Sequence, residues 1–452
     1  MLEKIFHLEE LGTDVRTEVM AGITTFVSMA YILAVNPNIL GTVMDSSGVF
    51  VATAIASAVA TFIMAFLANY PIVLSAGMGL NAYFAYTVCL GQLGGDANAF
   101  TVALTAVLAE GIIFIILSLF KFREAIVNGI PQNIKLGIST GIGLFIALLG
   151  LINAGVTVND DSTLVTLGNV GSPQVVLCIV GVLIIAILSH YNVRGAVLIG
   201  ILATWVLGMI AQGTGWLVVD AAAGVSSVFP DFSAGLNLGG IKNTAFKFNF
   251  SWALSNLGEF LAILFSFLFV DLFDTVGTVI GVADKAGLLD EEGKLPRVGR
   301  VLLADAIGTV FGACLGTSTI TSFVESSAGV GAGGKSGLTS FTAGCLFLLA
   351  LLLSPIFLAI PSFATAPALI YVGLLMLSNV VKIHFEGDMA DVVGAYMAII
   401  MMPMTYSISN GIMFAIISWV IIKVFTKKVK DISPIMWVIF ALFVFRIFTM
   451  VV

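Results

Sequence analysis

Uninterrupted apolar runs of about 18 residues or more recur from one end of the chain to the other, and they leave few architectures open. In a bilayer core every backbone N–H and C=O must be satisfied inside the protein, so only helices and closed barrels cross it. A membrane barrel is written in alternating segments of about 10 residues, and the runs here are continuous. Of the 452 residues 59% are hydrophobic and only 10% are charged. A soluble domain would carry about 25% charged residues. The reading is an all-α polytopic protein of the cell membrane, with lipid as its solvent. Met1 to Val19 is polar and charged without an apolar h-region, so no cleavable signal is expected and the first span does the targeting.

Polar breaks divide the runs into spans at 17–36, 48–68, 70–90, 98–120, 131–152, 173–190, 194–213, 252–282, 297–312, 313–334, 337–359, 364–381, 389–406 and 408–425, with a further apolar segment at 433–451. With a cytoplasmic N-terminus, all 19 Lys and Arg residues fall inside except Lys242, Lys247 and the undecided Arg446. Such a bias supports both the count and the orientation. The spans form two sets of seven: residues 1–213, then an external loop at 214–250, then 251–425. Residues 426–452 form a C-terminal segment, an extra or interfacial helix. An odd number per half inverts the second half relative to the first, the 7+7 inverted repeat of many secondary transporters. A short internal match supports it: His190-Tyr191-Asn192 joins spans 6 and 7, and Thr405-Tyr406-Ser407 joins spans 13 and 14.

Several chemistries lack the residues they need. The four cysteines (Cys89, Cys178, Cys314 and Cys345) lie in apolar runs without CxxC spacing, and the three histidines are scattered. No metal site, cofactor or nucleophile–base set is expected, so the chain does not read as an enzyme. The net charge of −7 is spread over loops and implies no nucleic-acid partner. Gly329 to Ser336 matches GxxxxGK[ST], but it falls between two spans, without the strand and soluble domain a phosphate-binding loop requires. A tight turn with Lys335 as a cytoplasmic anchor is expected instead.

The sharpest signal is acidic. Span 8 carries Asp271-Leu-Phe-Asp274-Thr-Val-Gly-Thr278, and span 10 carries Glu325-Ser-Ser. A carboxylate at bilayer depth costs roughly 2.5–3.5 kcal/mol on insertion scales, so by default it faces a cavity, a pathway or a partner. Asp271, Asp274 and Thr278 are spaced i, i+3, i+7 and fall on one helix face. Asp271, Asp274 and Glu325 are the acids placed deep in the spans facing the presumed site. Spans 3 and 10 share another peculiarity. Tyr70-Pro71 to Tyr83 and Gly312 to Glu325 each open with residues suited to extended backbone, pass through Gly or Ser/Thr, and then turn helical. They occupy the third place of each half, where interrupted spans mark a midplane site. A helix starting there offers free N–H groups and a positive dipole end.

These residues carry a family resemblance over nearly the whole chain. Gly12 to Phe26, Met29 to Pro37, Ala76 to Phe84, Asp271 to Thr278 and Thr319 to Gly329 resemble the AzgA-like purine permeases of the nucleobase:cation symporter-2 superfamily. The resemblance implies a core domain of spans 1–4 and 8–11, a gate domain of spans 5–7 and 12–14, and a short strand plus half-helix in each of spans 3 and 10. It implies uptake of adenine, guanine or hypoxanthine with protons, and no cofactor. Motif by motif, Asp274 is similar to the span 8 acid that holds the nucleobase, Glu325 to its counterpart in span 10, and Asn81 to the polar residue of span 3. Gly79 and Phe323 fall in the same substrate-binding motifs. Asp271, Glu325 and Thr278 are the proton-coupling candidates. Thr278 stands where uracil-branch relatives have a histidine, and Asp271 competes with Asp274 for the substrate role. A homodimer is expected by analogy alone.

Chemistry points the same way. Nucleobases are planar and neutral, a carboxylate can pair with two neighbouring N–H groups, and Phe273, Phe323 or Tyr83 could stack on the ring. The alternative reading is an anion or carboxylate carrier of the same fold, which the acids would oppose by repulsion.

Overall fold

In the computed structural model the described residues are 2–119, 130–219, 227–232, 236, 238–285, 288 and 295–451. Asp14 starts the first long helix, α1 (Val15–Met29), by accepting the Thr17 N–H at 3.0 Å. After a break at Ala30 and Tyr31 the chain resumes as α2 (Ile32–Leu40), and Asp45 caps α3 (Ser46–Ile63) in the same way. The third run is extended at β1 (Leu74–Ala76), then helical from α4 (Met78–Ala82), continuing with π-type bonding through Tyr83–Gln92. Next come α5 (Ala99–Leu119) and α6 (Gln132–Asn153). A hairpin of β2 (Thr157–Asp160) and β3 (Leu164–Leu167) precedes α7 (Pro173–His190) and α8 (Ala196–Gly213).

The second half begins with α9 (Leu257–Lys285) and α10 (Val298–Leu315). Gly316, at φ +96°, turns the chain where a side chain would be strained, and β4 (Ile320–Ser322) and α11 (Ser326–Gly331) follow. The remaining long helices are α12 (Gly337–Leu349), α13 (Ser362–Leu377), α14 (Met389–Met404), α15 (Ile408–Phe425) and α16 (Pro434–Val451). Among the described residues, 10 helical stretches are long and apolar enough to cross a membrane.

The connections carry structure of their own. The 153–172 connection contains the β2–β3 hairpin, where Asp160 accepts the N–H groups of Ser162 and Thr163 at 2.9 Å and so makes the turn. The 214–250 loop contains a helical turn at Ile241–Thr244, tied down by Asn243, whose Nδ2 donates to Asp45 Oδ2 at 2.8 Å. Residues 220–226, 233–235 and 237 of that loop lie outside the described ones.

The helices pack in two groups. In one, α1 lies against α12, α3 against α10 and α12, and α5 against α9 and α10. In the other, α6 lies against α13 and α14, α7 against α8 and α13, and α14 against α15. Glycines let α6 approach closely: a Cβ on Gly137 would stand 2.6 Å from Ala395 Cα, and one on Gly143 would stand 2.9 Å from the Gly373 carbonyl oxygen. Small residues serve this purpose in membranes, where lipid is as apolar as leucine and packing must do the holding. α16 packs on α15 and, more lightly, on α9.

Between the halves of the first group, β1 and β4 run antiparallel, with Ser75 opposite Thr321. The pairing extends beyond the strands: Gly77 N–H donates to Thr319 O at 3.1 Å and Phe323 N–H to Val73 O at 3.0 Å. The two interrupted spans thus satisfy each other's extended backbone within the protein, as a bilayer interior demands.

Candidate functional site

Where β1 and β4 cross, both chains turn into short helices. Gly77, extended at φ −69° and ψ 125°, precedes α4 without a side-chain cap on that helix's first N–H groups. A Cβ on Gly77 would meet Thr321 Cγ2 at 2.6 Å, so the glycine lets the two crossed chains approach closely, and it would stand 3.5 Å from Asp274 Oδ2, which places the carboxylate beside the start of α4. On the other strand Glu325 immediately precedes α11, and its Oε1 accepts the Tyr31 hydroxyl at 2.5 Å. Asp274 lies within electrostatic reach of Glu325 and Asp271.

Exposure separates these acids. Asp274 and Glu325 keep part of their surface exposed, whereas Asp271 is fully buried. Asp271 Oδ1 accepts the Thr275 hydroxyl at 2.9 Å, and the same hydroxyl stands 3.2 Å from Asp305 Oδ2 and 2.8 Å from Thr321 Oγ1. The acids singled out in the spans are therefore incomplete: Asp305 in α10 and Glu110 in α5 are also fully buried. Glu110 Oε2 accepts the Thr319 hydroxyl beside β4 at 2.7 Å. Their signal was visible, an acid inside an apolar run at positions 110 and 305, but neither sits in an interrupted span.

The other expected site residues fall around the crossing. Asn81 is buried, and its Oδ1 accepts the Ser318 hydroxyl, which ties α4 to the chain entering β4. Gly79 faces the second helix group, with Ile142 Cγ2 and Ile408 Cδ1 at 3.1 and 3.4 Å from where its Cβ would be. Phe323 is buried in the apolar core and Tyr83 packs edge-on against Phe267 at 4.8 Å. Thr278 lies one turn beyond Asp274 on α9 and is part-exposed. The Phe273 side chain lies outside the described ones. Asn36 is framework: its Nδ2 donates to Thr53 at 2.7 Å and Thr317 at 3.0 Å.

The glycine-rich turn at Lys335 holds a carboxylate of the protein itself. Glu18 accepts the N–H groups of Lys335 and Ser336 at 2.9 and 3.2 Å and the Thr339 hydroxyl at 2.6 Å. The turn is tight, as expected, and its donors are already used.

Comparison with known proteins agrees over the full length. Residues 16–414 match the Permease family. The adenine permease AdeP of Escherichia coli (strain K12) is 41% identical over 99% of this chain and 96% of its own. The guanine/hypoxanthine permease PbuO of Bacillus subtilis (strain 168) is 44% identical over 98% of this chain and 100% of its own. Among solved structures, the transmembrane domain of the cyanobacterial bicarbonate transporter BicA superposes with a TM-score of 0.64, covering 88% of this chain and 97% of that one, at 15% identity. That last likeness is one of fold.

Proposed function

The chain belongs to the Permease family, within the nucleobase:cation symporters, and from that premise we propose that it imports purine nucleobases by alternating access. It is a transporter, not an enzyme. Asp274 and Glu325 accept N–H groups of the base, while the start of α4, Gly79 and Asn81 shape the site and Phe323 backs it. The observation that carries this reading is placement: these two acids stand where the half-helices begin and keep part of their surface exposed, whereas Asp271 is fully buried. An anion carrier of the BicA kind is disfavoured, because two carboxylates beside the helix starts would repel its cargo.

The architecture of the reading is 14 spans in a 7+7 inverted repeat, residues 1–213 and 251–425 being the repeats, with the N-terminus cytoplasmic in the cell membrane. The packing supports it. Moving each span by seven turns the contact of α1 with α12 into that of α9 with α5, and that of α5 with α10 into that of α12 with α3. It likewise exchanges α7 on α8 with α14 on α15, and α6 on α14 with α13 on α7. A two-fold axis in the membrane plane requires such exchanges. The group holding the crossed strands is the core and the other is the gate. Substrate moves with a proton, with Asp271, Glu325 and Thr278 as the groups to examine, and the transporter works as a homodimer.

Uptake of labelled adenine, guanine, hypoxanthine, xanthine and uracil into permease-deficient cells tests this. Saturable purine uptake is expected, and Asp274→Ala and Glu325→Ala should each abolish it at normal membrane insertion, since removing an acid eases insertion. Full uptake by an inserted Glu325→Ala variant would overturn the site.

A further inference from the structure

We propose that Tyr31 is a positioning residue of the purine site, holding Glu325 as an oriented acceptor before the base arrives. The inference rests on the purine reading and adds a residue outside the half-helices. Tyr31 lies at the break between α1 and α2, where bonding tightens: Leu33 N–H donates to Ala30 O at 3.1 Å and Ala34 N–H to Tyr31 O at 3.0 Å. The tyrosine is fully buried, so its ring is held by packing, and its hydroxyl donates to Glu325 Oε1 at 2.5 Å. A bond of this length from a hydroxyl to a carboxylate is charge-assisted and directional.

Glu325 needs such a hold. It stands between the end of an extended segment and the six-residue helix α11, and part of its surface is exposed. Untethered, a glutamate in that place samples several rotamers and must be ordered when the base binds. Order supplied in advance is returned as affinity. The tyrosine engages one carboxylate oxygen, which leaves Oε2 and the remaining lone pair of Oε1 for N–H donors of a planar base. Because α1 and α11 pack together, the tether also belongs to one rigid group and travels with it.

The test is Tyr31→Phe, which keeps the ring and removes the donor. Uptake of the best-transported purine is measured as KM and as maximum rate per inserted transporter, the latter quantified on purified membranes. The expected result is a rise in KM of about tenfold, or about 1.4 kcal/mol, with the maximum rate within about twofold of wild type. An unchanged KM, or a loss of maximum rate that matches or exceeds the change in KM, would mark a structural role and overturn the proposal. Absence of saturable purine uptake by the unaltered chain would remove the purine reading instead.

Discussion

Glu18 fills the glycine-rich turn that precedes α12: its two carboxylate oxygens take the backbone N–H groups of Lys335 and Ser336 from 317 and 318 residues away. The contact joins α1 to α12 inside the protein, and it occupies the donors that a phosphate would need. Glu18→Ala should leave those N–H groups unpaired, at about 1–3 kcal/mol for the buried one of Ser336. A lower unfolding temperature and a smaller yield of folded transporter are expected. Lys335→Ala removes only a bond from its Nζ to the Leu11 carbonyl and should leave uptake within twofold. Loss of uptake in Lys335→Ala at normal yield would contradict the assignment.

The buried Asp271 and the part-exposed Asp274 should separate by experiment. Asp274→Asn should weaken purine binding, because one acceptor oxygen is replaced by a donor. Asp271→Asn should retain binding and impair transport, since it disturbs the cluster with Thr275, Asp305 and Thr321 that links α9 to α10 and β4. Equilibrium binding of labelled purine beside uptake distinguishes the two. Equal binding losses would remove the division of roles.

Two glycines of one helix start should respond differently. Gly77→Ala places a methyl 2.6 Å from Thr321 Cγ2, forcing the crossed strands apart beside Asp274, so binding and uptake should both be lost. Gly79→Ala meets only the ends of Ile142 and Ile408, side chains of the other helix group. Its binding should stay within a few-fold while the transport rate falls, because the methyl drags on the surface that must slide. Stopped binding and rate measurements on both variants check this.

A neutral base gains nothing from the membrane potential alone, so accumulation needs a co-transported ion. Uptake should weaken as external pH rises, collapse with a protonophore and need no sodium. Vesicles with an imposed pH or sodium gradient decide it; accumulation that follows sodium and ignores pH would replace the proton as the coupling ion.

At the start of α14, Asp388 accepts from Lys423 Nζ at 2.7 Å and Lys428 Nζ at 2.8 Å, and these bonds hold its carboxyl well below the usual carboxylate range. A depressed folded value contributes stability that is complete above the unfolded value, near 3.9, and is lost as pH falls toward the folded one. Unfolding temperature should therefore fall in acid below about pH 4 through this group. Asp388→Asn should lower it at neutral pH, leaving Lys423 half-paired beside Asp391 and Asp431, and should flatten the acid limb. Unfolding curves from pH 7 to 3 measure both.

The long apolar helices and the two interrupted runs at 70–83 and 312–325 were legible along the chain, because a bilayer enforces long apolar runs and penalises every acid, glycine break and extended turn within them. The motifs Asp271 to Thr278 and Thr319 to Gly329 carried the family for the same reason: such costly residues stand out against an apolar background. What local pattern could not decide was direction. Asp271 and Asp274 look alike at i and i+3, and only the packed structure buries the first against Thr275, whose hydroxyl also meets Asp305 and Thr321, while the second stays part-exposed near Gly77. The partners of Glu325 and Glu18 lie 294 and about 317 residues away in the chain, so no spacing rule reaches them. Which donor meets which carboxylate is settled by helices crossing in space, and that depends on the whole packed bundle.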